Sequence, residues 1–203
     1  MEKWCHGALC TPLYKNQNKM MSTLICFATE KEAEASLASL QATKIESHLY
    51  HCPYGHILIT GMGLTTTYER LSSHMHAITK ISNFGIVGAL KTNIHVGSIH
   101  AVQLVGRDEQ SIQLQRDGLK LISSPVPLHD PQLRDTLAKN YDIIDMEGFS
   151  IAQFAQEKNV PLTMHKIVSD YCTADTSKHI MARLPELSKQ LAAHITKWVV
   201  NST

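Results

Sequence analysis

The sequence predicts an α/β fold, a single domain in which a mixed, mostly parallel central sheet is flanked by helices. One observation is segment 142–170, which has the pattern of a strand, a helix and a second strand. Such a βαβ unit places its two strands parallel in one sheet. A second observation is the pair of largely apolar runs 23–28 and 83–89, which are typical of buried strands. The third is the length of 203 residues with 43% hydrophobic residues, enough for one sizeable core.

Charge and hydropathy exclude several classes of protein. A net charge of +1 gives no electrostatic basis for binding nucleic acid or an anionic membrane. No apolar run approaches the roughly 20 residues that span a membrane. Residues 1–20 are polar where a secretory signal would be apolar, so we expect a cytoplasmic protein. We also expect residues 1–20 to be a disordered extension and residues 21–203 to form the domain.

The cysteines and histidines do not form a recognisable metal or disulfide pattern. Five cysteines at irregular spacing are not a disulfide framework. Cys5, His6 and Cys10 are close together, but no second pair of ligands follows at the spacing of a zinc site. The sequence therefore predicts no metal and no cofactor.

The first strand, 23–28, leads into a helix with a clear start signal. Thr29 is the predicted N-cap, and Glu30 and Glu32 lie in the first turn. Most acidic side chains at this position are only stabilised by the helix dipole. Glu32 nevertheless lies just beyond the carboxyl end of a strand, where open parallel sheets bind their ligands.

Strands and helices continue along the rest of the chain. We predict strands at 44–50, 56–60, 83–89, 95–105, 111–115 and 119–124, and helices at 65–80, 132–139 and 179–200. The glycines of residues 60–63 precede a helix and allow a ligand to approach the backbone closely. Residues 171–178 form a polar loop that could act as a lid, and Pro185 breaks or restarts the last helix.

An acidic residue stands at the end of each strand in the βαβ unit. Glu147 follows strand 143–144, and Asp170 follows strand 161–168. Such residues are often only helix caps or solvated loop side chains. The alternative is a ligand site, because the carboxyl ends of parallel strands meet at one edge of the sheet.

Met146-Glu147-Gly148, followed by Ser169-Asp170, resembles the signature of the purine nucleoside phosphorylase and nucleosidase superfamily. The resemblance implies the nucleoside phosphorylase-like fold and a small-molecule nucleoside as ligand. It implies that Met146 and Glu147 hold the ribose and that Asp170 serves the base as a general acid. It also implies substrate contacts from a further group of residues: Gly63, Gly88, Ala89 and Ser169.

The junction at Glu32 resembles the nucleosidase branch, whose corresponding acid acts with the attacking water. A carboxylate there would repel phosphate, so the resemblance favours hydrolysis over phosphorolysis. Lys166 stands where the nucleosidases usually have arginine, and it could hold Glu32 as an ion pair. The alternative for Lys166 is a simple structural ion pair.

Within the superfamily, Ile86-Val87-Gly88-Ala89 replaces the Ser-Ala-Gly-Gly of methylthioadenosine and adenosylhomocysteine nucleosidases. This departure, together with Thr60-Gly61-Met62-Gly63 and Asn83-Phe84-Gly85-Ile86, is more similar to the futalosine hydrolases of menaquinone synthesis, so futalosine is the preferred substrate. Methylthioadenosine or adenosylhomocysteine is the first alternative, and a non-catalytic nucleoside-binding protein is the second. The chain lacks an obvious copy of the family's aromatic segment that stacks on adenine. The resemblance also implies a homodimer.

Overall fold

The computed structural model describes residues 22–74, 78–173 and 176–201. The predicted extension at 1–20, with Cys5, His6 and Cys10, lies outside these ranges. Among the described residues, no helix combines the length and the apolar character needed to cross a membrane.

Ten strands and five helices make up the described part of the chain. The strands are β1 Ser22–Phe27, β2 Thr43–Lys44, β3 Leu49–Cys52, β4 Gly55–Ile59, β5 Ile78–Ala89, β6 Ile99–Arg107, β7 Gln110–Gln113, β8 Leu119–Ser123, β9 Ile143–Asp145 and β10 Leu162–Asp170. The helices are α1 Glu30–Ser39, α2 Leu64–Ser73, α3 Pro131–Leu137, α4 Gly148–Glu157 and α5 Thr176–Asn201.

The described strands belong to one sheet, part of which closes into a barrel. Going round the barrel, β5 pairs with β10, β10 with β6, β6 with β8, β8 with β9, and β9 with β5 again. The sheet then extends from β5 through β1, β4 and β3 to β2. Strand β5 therefore has three partners and joins the barrel to the extension.

The α/β class is confirmed, but the prediction of a mostly parallel sheet is wrong. Five of the described pairings are parallel and five are antiparallel. Part of the reason is local: Pro53-Tyr54 joins β3 to β4, and Asp108-Glu109 joins β6 to β7. Two-residue connections can join only antiparallel neighbours. The other part is barrel closure, in which β6 runs against β10 and β9 runs against β5.

Helices cover both faces of the extension. Helices α1 and α5 pack on one face, around a core that includes Phe27, Phe84 and Leu191. Helices α2 and α4 pack on the other face, where Leu71 and Phe154 are fully buried.

Two predicted helix boundaries are wrong. The helix predicted for residues 65–80 ends at Ser73, and by Ile78 the chain has entered β5. The β-branched Ile78 and Ile81 pair with β1 there, so sheet pairing outweighs the helical spacing of the sequence. The last helix begins at Thr176 and runs continuously through Pro185, so the predicted loop at 171–178 is shorter than expected.

Candidate active site

A cavity of about 240 Å³ opens at the carboxyl ends of β5, β9 and β10. This volume is close to the lower end of the roughly 300–1,000 Å³ of small-molecule sites. Seven of the nine predicted site residues line it: Glu32, Gly88, Met146, Glu147, Lys166, Ser169 and Asp170. The structure thus brings together three carboxylates that lie far apart in the chain.

Glu32 is held at the cavity floor by the start of α1. Thr29 caps this helix as predicted, accepting a hydrogen bond from the Glu32 N–H at 3.2 Å. The Thr29 hydroxyl lies 3.0 Å from Glu32 Oε1, and the Ile86 N–H donates to Glu32 Oε2 at 3.3 Å. Burial raises the pKa of Glu32, against the opposing influence of the Lys166 charge. Glu32 is therefore fixed by two contacts and has a reduced tendency to ionise.

Glu147 follows β9 directly and stands at the start of α4. Its Oε1 accepts a hydrogen bond from the Gly63 N–H at 2.8 Å. Gly63, with φ of +87°, adopts a conformation that favours glycine and directs this N–H across the cavity edge. Burial first, and the negative charge of Asp145 second, raise the pKa of Glu147 to about 7. Glu147 is thus a group that changes its charge near neutral pH.

Asp170 is the last residue of β10, and both of its carboxyl oxygens have partners. Oδ1 accepts from the Cys172 N–H at 2.7 Å, and Oδ2 lies 2.6 Å from Ser169 Oγ. Ser169 Oγ also lies 3.0 Å from the backbone oxygen of Val87. A hydroxyl has only one hydrogen to donate. If that hydrogen goes to Val87, the contact with Asp170 is a hydrogen bond only when Asp170 itself carries a proton.

Lys166 forms an ion pair with Asp145, not with Glu32 as hypothesised. Lys166 Nζ lies 2.9 Å from Asp145 Oδ2, and both side chains are almost completely buried. An ion pair, the alternative considered for Lys166, is thus present with Asp145 as its partner. Its partner Asp145 was absent from the predicted site.

Besides holding Lys166, Asp145 connects its own strand β9 to β8 and to α4. Its Oδ1 accepts a hydrogen bond from the Ser123 hydroxyl at 2.6 Å, and its Oδ2 accepts one from the Gly148 N–H at 3.0 Å. The second contact satisfies a free backbone donor in the first turn of α4. The signal in the sequence was present, because Asp145 is an acid at a strand end directly before Met146.

The upper walls of the cavity are aliphatic. They are formed by residues from the β4–α2 loop, the β8–α3 loop, β9, the segment after β10 and the start of α5: Met62, Val126, Pro127, Leu128, Ile144, Cys172 and Ile180. Among the described lining residues the only aromatic one is Phe84. Its ring packs against Phe27 and His165 within the core, so it offers no face for stacking.

The two remaining predicted residues do not line the cavity. Gly63 acts on it indirectly through its hydrogen bond to Glu147. Ala89 is buried in the core beside Val87 and Val168. Sequence reasoning missed Asp145, Asn83 and Cys172, which line the cavity beside the predicted residues.

The fold, an α/β sheet with a closed barrel at its centre, is one that solved structures of nucleosidases share. Comparison with those structures shows this similarity of fold directly. A variant of the nucleosidase MTAN from Chlamydia trachomatis, bound to MTA, superimposes with a TM-score of 0.80 at 22% identity. The match covers 90% of this chain and 99% of that chain.

Two Helicobacter pylori proteins have the same fold. One is 5′-methylthioadenosine/S-adenosylhomocysteine nucleosidase with butyl-thio-DADMe-Immucillin-A, at a TM-score of 0.77 and 15% identity over 91% of this chain and 100% of that chain. The other is a futalosine hydrolase mutant, at a TM-score of 0.78 and 13% identity over 90% of this chain and 100% of that chain. No family model and no curated protein matches the chain.

Proposed function

We propose that this protein is a nucleosidase, an N-glycosyl hydrolase that uses water to cleave the base from the sugar of a purine-type nucleoside. The observation that carries the proposal is the meeting of Glu32, Glu147 and Asp170 around one buried cavity. Each acid comes from a different strand end, and the fold is shared with known nucleosidases.

The three carboxyl groups have separate roles in the proposed reaction. Cleavage of the bond between C1′ and the base passes through a ribosyl cation with oxocarbenium character. The base leaves with the electron pair and takes a proton from Asp170, which contributes roughly 10²–10⁴-fold to the rate. Glu147 accepts hydrogen bonds from the ribose hydroxyls, and Met146 lies against the sugar. Glu32 takes the proton of the attacking water.

The charge of the cavity supports water as nucleophile over phosphate. Four carboxyl groups line the cavity, those of Glu32, Asp145, Glu147 and Asp170. Lys166 is the only basic side chain among the described lining residues, and it is already paired with Asp145. A phosphate dianion would meet net repulsion here, whereas a ribosyl cation would be stabilised.

Futalosine is the substrate that we propose first, on the resemblance of residues 60–63 and 83–86 to futalosine hydrolases. Hydrolysis would release hypoxanthine or a related base and would place the protein in menaquinone synthesis. Methylthioadenosine or adenosylhomocysteine is the alternative. The aliphatic cavity mouth favours it, since Met62 and Val126 offer contacts to an apolar 5′ group. The 22% identity to the nucleosidase bound to MTA supports it as well.

We also propose that the protein acts as a homodimer. Large apolar side chains at the cavity mouth are well exposed in the single chain, Met62 at 66% and Val126 at 62%. Met181, near the start of α5, is 56% exposed. A second copy would cover this surface and complete the 5′ side of the site. Light scattering during gel filtration would give twice the chain mass if this is correct.

A nucleoside panel tests the proposed function. Release of free base from futalosine, methylthioadenosine, adenosylhomocysteine and inosine would be followed by chromatography, with and without phosphate. We expect turnover that is independent of phosphate, with futalosine preferred. Turnover that requires phosphate would contradict hydrolysis. Tight binding without turnover would instead identify a non-catalytic nucleoside-binding protein.

A further inference from the structure

Asn83 carries a buried amide oxygen that has no hydrogen-bond partner among the described residues. The residue is 2% exposed, and its Nδ2 donates to the backbone oxygens of Cys26 at 3.2 Å and Phe84 at 3.5 Å. These two acceptors fix the orientation of the amide, because an oxygen in the same place would be repelled. Asn83 Oδ1 therefore faces away from them and makes no hydrogen bond to any residue in the described ranges. Buried polar atoms are rarely left in this state unless a ligand or water completes them.

Asn83 is one of the residues that line the cavity, as are Glu32 and Lys166. Asn83 lines the cavity in the middle of β5, and Gly85 lies two residues further along the same strand face. That spacing is roughly 6.6 Å along a strand. One amide side chain and one water molecule can bridge such a distance.

Glu32 and Lys166 approach the same point beside Gly85. A Cβ placed on Gly85 would lie 3.1 Å from Glu32 Oε2 and 3.5 Å from Lys166 Nζ. A methyl group would therefore crowd Glu32, and because both charged groups are close to one point, a single water beside them could hydrogen-bond to both. Lys166 has three N–H donors, of which the pair with Asp145 uses one.

We propose that Asn83 is a positioning residue for the attacking water, which it holds together with Glu32 and Lys166. The water accepts a hydrogen bond from Lys166 Nζ and donates one each to Asn83 Oδ1 and Glu32 Oε2. This inference rests on the proposed hydrolase function, and it adds a specific nucleophile site to it. Neither Asn83 nor the ammonium group touches the sugar.

The arrangement gives a balanced reaction. The water oxygen forms a bond to C1′ as the bond from C1′ to the base nitrogen breaks, and the electron pair of that bond leaves with the base. One water proton passes to Glu32, and the base receives a proton from Asp170. The other O–H stays on Asn83, so the remaining lone pair of the oxygen is directed to the sugar. With three hydrogen-bonding partners, the water is oriented before the bond breaks.

The Asn83→Ala variant tests this role kinetically. We expect kcat to fall about 10- to 100-fold, while KM and the affinity for a C-nucleoside analogue such as 9-deazainosine change less than about 2-fold. In water–methanol mixtures the variant should form a larger fraction of methyl riboside than wild type. Without Asn83 the site would no longer favour water over methanol as the nucleophile. Ser82→Ala is the matched control, since Ser82 is the preceding residue on the opposite strand face and bonds to Thr163.

Unchanged kcat in Asn83→Ala, or an equal loss of analogue affinity, would overturn the proposal. If Asn83→Ala does not fold, the wild-type crystal structure carries the test, through the water expected at Asn83 Oδ1. If wild type turns over no nucleoside, the hydrolase function fails first, and this outcome is seen before any variant is compared.

A crystal structure of the wild-type protein gives a readout that does not need turnover. We expect an ordered water within about 2.6–3.2 Å of Asn83 Oδ1, with Glu32 and Lys166 as its other neighbours. A map that shows the floor clearly and has no water at this place would overturn the proposal even in an active enzyme. If the water is present but the protein has no activity, the water site is real but has no part in catalysis. That result would overturn the positioning role.

Discussion

Lys166 Nζ lies 2.9 Å from Asp145 Oδ2 in the lining of the cavity, and this ion pair is almost completely buried. This pairing decides the electrostatics of the site. Lys166 carries the only ammonium group among the described lining residues, and it is committed to Asp145, so neither Glu32 nor Glu147 has a directly bonded counter-ion in that part of the chain. Burial raises the pKa of both acids, and the charge of Asp145 adds to the effect in each case.

The first prediction concerns pH. The carboxylate form of Glu147 is the one that accepts hydrogen bonds from two ribose hydroxyls, and its pKa is raised to about 7. We therefore expect kcat/KM to rise with pH and to level off above about 7. In Asp145→Asn, a negative neighbour is lost and Lys166 is released toward the glutamates. Both changes lower the pKa of Glu147, so the acid limb of the kcat/KM profile should move to lower pH. An acid limb that stays in place or moves upward would contradict this account.

A second prediction concerns the stability of the ion pair. Lys166→Met should destabilise the fold by about 3–5 kcal/mol, because it leaves Asp145 buried without its counter-ion. The double variant Lys166→Met with Asp145→Leu should recover part of the loss. Lys44→Gln is a suitable control, since the pair of Lys44 with Glu30 is solvent-exposed and should contribute far less to stability than the buried pair. Urea unfolding would measure each difference, and equal effects at the two pairs would contradict the prediction.

The third prediction concerns Asp170. Asp170→Asn keeps the shape of the side chain and removes the acid, so kcat should fall roughly 10²–10⁴-fold. The amide can still accept from the Cys172 N–H, so thermal unfolding should stay close to that of wild type. Base release from the best substrate of the panel would measure the effect. Turnover at the wild-type rate in a folded variant would remove Asp170 from the mechanism.

A fourth prediction uses Ser169. Its hydroxyl lies between Asp170 Oδ2 and the backbone oxygen of Val87, and it is the side chain that can orient a proton on Asp170. Ser169→Ala should lower kcat about 10-fold or more with little change in KM, and Ser169→Thr should restore much of the loss. If KM rises in Ser169→Ala while kcat is unchanged, Ser169 contributes to binding alone.

The fifth prediction concerns acid stability away from the cavity. His165 Nδ1 lies 3.1 Å from His194 Nε2, and Phe84 and Trp198 pack around the pair. Burial, together with His194, lowers the pKa of His165 from 6.5 to about 4. Between these two values the unfolded chain binds a proton that the folded chain does not, so stability should fall as pH drops from about 6.5 to 4.

The variant His165→Gln tests that pH dependence. The free energy of unfolding should fall less steeply between pH 6.5 and 4 than in wild type. His129→Gln is the control, because His129 is exposed in the β8–α3 loop. An unchanged slope in His165→Gln would show that other groups govern acid unfolding.

The parts of the site that were predictable from the sequence have local signals. Thr29 and Glu32 belong to a helix start signal of four consecutive residues, and Thr29 is the N-cap in the structure as well. Glu147 and Asp170 are acids that follow β-prone runs, and the fold places both at strand ends as predicted. Each of these positions depends on a strand and a helix that are neighbours in sequence.

The parts that were not predictable depend on pairing between distant segments. The contact of Lys166 with Asp145 requires both β9 and β10 to pair with β5. Neither hydrophobic periodicity nor turn signals specify such pairing, because pairing order is a property of the whole sheet. The free oxygen of Asn83 is equally invisible in the sequence, since it depends on which backbone acceptors surround the amide nitrogen.

Strand β5 is shared between the barrel and the extension, and this has a consequence for motion in the protein. Its backbone bonds to β1, β9 and β10, so releasing it would dismantle both parts at once. Its amides should therefore be among the last to exchange with deuterium, opening only in global unfolding. The part of the cavity formed by β5 would then be rigid, and any opening needed for substrate entry must come from the loops around the cavity mouth.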